Sequence, residues 1–158
     1  MITATVDAGE TLPRWDLDSI FPGPDSAEFR EAVDSAGLAI AELTALFDRY
    51  GIGTQPMAAI NADATAVFDE VVTRYDATLE AALRLDGYLG CLTAADVRNE
   101  AAQAAASEWR ETLVNLVRLA PRFTAWVATL DLDAIIAGSR IACEHESTCA
   151  GCGATPRT

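Results

Sequence analysis

Three thiols and one imidazole fall within residues 143–152: Cys143, His145, Cys149 and Cys152. Thiolates and imidazoles are the ligands of tetrahedral zinc, and Cys149-x-x-Cys152 is a genuine ligand spacing. The other half of the set has only one residue between Cys143 and His145, so the same letters read equally as incidental cysteines in a tail. His145-Glu146-Ser147-Thr148-Cys149 also begins like the His-Glu-x-x-His helix of zinc hydrolases. There, two histidines one turn apart hold the metal and the glutamate activates water. Here Cys149 stands in place of the second histidine, and His145 is the only histidine in the chain. The glycines that follow disfavour the helix this geometry needs. The likeness is a coincidence of spelling, and no residue is assigned a catalytic, cofactor-binding or metal-binding role from it.

Other reactive side chains have simpler uses. Asp16 with Asp18, and Asp96 with Glu100, are carboxylate pairs that caps and solvated faces explain. Trp15, Trp109 and Trp126 read as core or docking anchors. Cys91, between Leu89 and Leu92, reads as a small buried hydrophobe. The chain has no glycine-rich phosphate loop, no Ser/His/Asp set and no interleaving of basic and aromatic residues.

The 158 residues, 51% of them hydrophobic, suit one domain that buries about 68–70% of its unfolded surface. The net charge is −13, from 24 acidic residues and 11 basic ones, all of them arginine. Such a surface repels nucleic acid and anionic lipid, which excludes both as partners. No apolar run reaches the roughly 18–20 residues of a membrane span. Residues 1–10 carry no basic residue and no apolar core, so they are not a secretory signal. The expected compartment is the cytoplasm, with the four cysteines reduced.

Alanine and 3.6-residue periodicity point to an all-α fold, an antiparallel bundle of about five helices behind an extended N-terminal strap. Three units are expected: tail and strap (1–24), a helical lobe (25–142), and a Cys/Gly-rich tail (143–158) without apolar period. In the strap, Pro13 disfavours helix, and Trp15, Leu17, Ile20 and Phe21 are dense enough to need docking. Asp25 and Glu28 have capping-box spacing. Helix one is expected over 26–50 with the stripe Phe29, Val33, Ala36, Ile40, Leu43, Phe47 and Tyr50, stopping at Gly51. Helix two is expected over 58–92, with Asn61 or Asp63 as later caps. Its stripe is Val67, Val71, Tyr75, Leu79, Ala82, Leu85, Leu89 and Leu92, and Glu70–Arg74 and Glu80–Arg84 are favourable pairs. Gly87 and Gly90 suggest close packing or irregular last turns. Helix three is expected over 97–119, capped by Asp96, with Ala102, Ala105, Trp109, Leu113, Leu116 and Ala120 buried. Arg118 would sit at its negative end and Pro121 would break it. Helices four (122–130) and five (from Asp131 or Asp133 to Gly138) complete the bundle.

The leader Leu12-Pro13-Arg14-Trp15-Asp16-Leu17, then Phe21-Pro22 and Asp25-Ser26-Ala27-Glu28-Phe29, ahead of a long amphipathic helix, resembles the start of the oligoendopeptidase F family. These are zinc metallopeptidases of the thimet-oligopeptidase clan. The resemblance spans about residues 12–146. It implies the N-terminal helical lobe of a peptidase, which forms one wall of an oligopeptide channel. Its zinc is held by a C-terminal catalytic domain, the lobe's implied partner. In that family the zinc motif lies far downstream of residue 145, so this chain matches none of the catalytic positions and is expected to be inactive alone. The different reading is a free-standing helical interaction module whose Cys/His tail binds zinc.

The abrupt change of composition after Glu146 is expected of a frameshifted or truncated gene. The DNA beyond codon 146, read in another frame, should resume a helical sequence and later encode His-Glu-x-x-His. Sequencing that locus checks this, and its absence from all three frames refutes it.

Overall fold

The computed structural model describes residues 16–53, 62–139 and 141–142. Trp15, the expected start of helix two at residue 58, the cap candidate Asn61, and Cys143, His145, Cys149 and Cys152 lie outside the described residues. Among the described residues there are four helices and no strand: α1 (Ala27–Tyr50), α2 (Ala62–Ala95), α3 (Glu100–Val127) and α4 (Leu132–Gly138). Three are long and pack together, with α2 in the middle touching α1, α3 and α4. The α1 and α3 helices approach each other less closely than either approaches α2.

Local chemistry sets the ends of α1. The cap is Ser26, not Asp25: the Ser26 hydroxyl accepts from the Phe29 N–H at 3.1 Å. A hydroxyl one residue later reaches the third helical N–H, so the expected Asp25–Glu28 box shifts out of register. At the far end Gly51 adopts φ 63°, and its N–H bonds to the Asp48 carbonyl while the Ile52 N–H bonds to that of Phe47. This is a Schellman motif, and the apolar contact that accompanies it is made by Ile52 and Phe47, both fully buried.

The expected break at Pro121 does not occur. One continuous α3 replaces the third and fourth expected helices, which leaves four helices among the described residues. Trp109, Leu116, Leu119, Phe123 and Trp126 continue a single stripe across the proline. Proline inside a helix costs about 3 kcal/mol. Burying Trp126 against Phe68 and stacking the partly buried Phe123 on Tyr75 offsets it. The carbonyl that the proline cannot reach belongs to Val117, an exposed residue that water can serve. Arg118 therefore lies inside α3 and not at its negative end. The N-cap of α3 is Asn99, accepting from Ala102 at 2.9 Å, while Asp96 accepts from Arg98 in the turn before it.

Two further expectations fail for geometric reasons. Gly87 and Gly90 mark no close packing, because a Cβ at either would meet nothing within 4 Å and α2 runs on to Ala95. Cys91 is exposed, facing away from the neighbouring helices. The short α4 is capped by Asp131, as expected, and buries Ile135. After it, Ser139 donates to Asp69 of α2 and accepts from the Ala142 N–H, starting a further helical turn.

The two classes of glycine predict substitutions of opposite sign. Gly53 has φ 76°, and a Cβ there would lie 2.7 Å from Arg122 Cα. Gly53→Ala should lower stability by about 2 kcal/mol, whereas Gly87→Ala, in open helix, should raise it by about 1 kcal/mol. Urea midpoints of both variants check this.

Candidate functional site

Besides packing on α2, α1 and α3 meet each other at one end, where Phe47 stacks on Phe123 and Arg122 reaches Asp48. Elsewhere along the seam between them Gly37, Ala41 and Thr44 of α1 share a depression with Thr112 and Leu119 of α3, and Phe29 and Val33 of α1 share another with Ala101, Ala104 and Ala105. At Gly37 a Cβ would still stand 3.9 Å from Thr112. Two depressions follow one another along this seam. The first, of about 360 Å³, lies at the starts of the helices between Pro24, Phe29, Val33, Ala104, Ala105 and Trp109. The second, of about 470 Å³, lies further along between Gly37, Ile40, Thr44, Thr112, Leu119 and Arg122.

The ends of the seam differ in charge. Asp25, Asp34 and Glu108, with Arg30 among them, line the first depression. Arg118 and Arg122 line the second. Arg122 is already engaged: it donates to Asp48 at 2.8 Å and to the Ile52 carbonyl at 3.0 Å, and lies over the Phe47 ring. Arg118 is exposed and has no ion-pair partner among the described residues. The indole N–H of Trp109, beneath the first depression, is buried and finds no acceptor among the described residues. Leaving such a donor unpaired costs about 1–3 kcal/mol.

The end of the leader is anchored beside this seam. Leu17 to Phe21 form a turn rather than an extended strand, with the Ile20 and Phe21 N–H groups on the Leu17 carbonyl. Phe21 is buried and Leu17 partly so, but Ile20 points to solvent. Phe21 meets Phe29 edge-on at 5.5 Å and Tyr88 at 5.0 Å, and the Tyr88 hydroxyl donates to the Phe21 carbonyl. Arg84 lies over the Phe21 ring instead of pairing with Glu80. Arg74 does pair with Glu70, at 3.6 Å.

The other candidate side chains stay apart from any chemistry. Asp16 and Asp18 are exposed, as are Asp96 and Glu100. Trp109 and Trp126 are core residues, as expected. No group of three His, Cys, Asp or Glu that could hold a metal occurs among the described residues. No helix among them is long and apolar enough to cross a membrane. The seam itself was not anticipated from sequence. The signal available was the run of small residues at 101, 104 and 105.

Comparison with protein-family models, with curated proteins and with solved structures finds no match.

Three tyrosines hold their protons more tightly than free phenol. A hydrogen bond to Glu70 does this for Tyr50, and burial does it for Tyr75 and Tyr88, helped by Asp76 and Asp18 respectively. A raised folded-state value favours the neutral phenol in the native state. The stabilisation is therefore complete below the unfolded value near pH 10 and is lost as pH rises through the folded values. With no lysine in the chain, tyrosine is the main side chain titrating between about pH 10 and 12. Absorbance at 295 nm should rise at higher pH for the native chain than for the urea-unfolded chain, and urea midpoints should fall above pH 10. Coincident titration curves would contradict the assignment.

Proposed function

We propose that this chain is the non-catalytic N-terminal helical lobe of an oligoendopeptidase F-like zinc metalloendopeptidase. In the full-length enzyme it forms one wall of the channel that admits oligopeptides. The observation that carries the reading is the packing of the leader. Phe21 of the Phe-Pro pair and Phe29 of the Glu-Phe pair, both part of the quoted pattern, meet each other and Tyr88 in the core. The pattern thus has a structural job, to seat the leader on α1 and α2. That is what a helical lobe with no chemistry of its own would keep.

In this role the lobe supplies shape. The long helices make a stiff wall, and the acidic surface discourages anionic ligands. Peptide-bond hydrolysis would belong to zinc and its ligands on the companion catalytic domain.

The chain alone is expected to leave a quenched fluorescent peptide uncut with zinc added. Zinc-dependent turnover by the 158-residue chain would contradict the proposal. Metal analysis of protein purified without chelator separates the alternative, an interaction module with a zinc-binding tail. One zinc per chain, bound through Cys143, His145, Cys149 and Cys152, would favour that alternative.

A further inference from the structure

We infer that the outward face of the second half of α3 is a self-association surface, on which a second copy of this chain packs its own α3 antiparallel about a two-fold axis. The inference stands on this face alone and does not need the peptidase reading.

The face is apolar on the side of a helix where polar residues belong. Val114 is 45% exposed and Val117 62%, and the exposed Pro121 continues their line one turn on. With the exposed Arg110, residues 110, 114, 117 and 121 are spaced four, three and four apart. That spacing makes one stripe, on the side of α3 turned away from the buried Trp109 and Leu116. The local charge also differs from that of the rest of the molecule. Between residues 109 and 130 there are three arginines and one glutamate, in a chain of net charge −13.

The register of the charges names the occupant. Glu111 and Arg118 are exposed, flank the stripe on the same side, and have no ion-pair partner among the described residues. Seven residues separate them, about 10.5 Å along the helix, so they do not satisfy each other. In a two-fold contact the same patch serves both copies. An axis crossing α3 between residues 115 and 116 sets Val114 of each copy beside Val117 of the other. At 1.5 Å per residue it also brings Glu111 of each copy level, within about 3 Å, with Arg118 of the other. Antiparallel helices place like flanks together, so both ion pairs form at once. Arg110 falls beside Pro121 of the other copy, and the two copies of Arg118 stay about 7.5 Å apart along the axis. One face thus answers its own apolar centre and both of its unpaired charges. Repulsion between the two acidic chains is screened beyond about 8 Å in about 0.15 M salt. A single helix pair buries less than the about 800 Å² per partner of a standard interface, so the association is weak.

The test is sedimentation equilibrium of the full chain in about 0.15 M salt, at up to about 1 mM because the contact is small. Reductant is present, which removes disulfide pairing through the exposed Cys91. A monomer–dimer equilibrium is expected. Val117→Glu, at an exposed position, should weaken the dimer at least about tenfold and leave the urea midpoint of the dilute monomer unchanged. Glu111→Arg and Arg118→Glu should each weaken it at least about tenfold, and both together in one chain should restore it to within about threefold. A chain that stays monomeric overturns the inference. So does a dimer indifferent to Val117→Glu, a charge exchange that fails to restore pairing, or assembly beyond two copies, which would mean a head-to-tail contact. None of these outcomes touches the peptidase-lobe reading, which stands or falls on peptide turnover.

Discussion

Every other element of this molecule leans on α2. An isolated helix gains little from its own hydrogen bonds in water, so a helix of 34 residues is held by what packs on it. Its apolar positions are not confined to one stripe. Phe68, Val71, Val72, Ala82, Leu85, Tyr88 and Leu89 are all buried, which covers two adjacent sides of the cylinder. Near its end Tyr88 receives the leader and the start of α1 through Phe21 and Phe29. In the middle Tyr75 stacks on Phe123 of α3 at 4.5 Å, with Phe47 of α1 alongside. Near its start Phe68 meets Trp126, and Asp69 holds Ser139 after α4.

That central position explains why α3 passes through Pro121. A helix ending at Leu119 would leave Phe123 and Trp126 without the Phe47, Tyr75 and Phe68 surfaces they cover. Arg122, one residue past the proline, then reaches back to Asp48 and the Ile52 carbonyl and ties the turn after α1 to α3. Gly53 lies so close to the Arg122 backbone that no side chain fits between them. Turn, proline and arginine form one coupled region at this end of the bundle.

The same arrangement leaves the seam between α1 and α3 open. The two helices meet through large side chains at one end, Phe47 with Phe123 and Asp48 with Arg122, and stand further apart along the rest.

The amphipathic periods, Gly51 as a stop, Asp131 as a cap and the buried Trp109 and Trp126 were legible from the residues, because spacing and capping act over a few neighbours. So was the all-α class, since nothing alternates with period two. Single-stripe reasoning missed Phe68, Val72, Thr78 and Tyr88 on α2, because a helix between several neighbours buries more than one stripe. It placed Cys91 inside, since adjacency to leucine does not say which way a side chain turns. It stopped α3 at Pro121, because a local penalty of about 3 kcal/mol can be weighed only against partners that lie some 50 residues or more away in the chain. Local order was set by the amino-acid sequence alone; which helix stands in the centre, where the proline is tolerated and which seam stays open were decided by long-range packing.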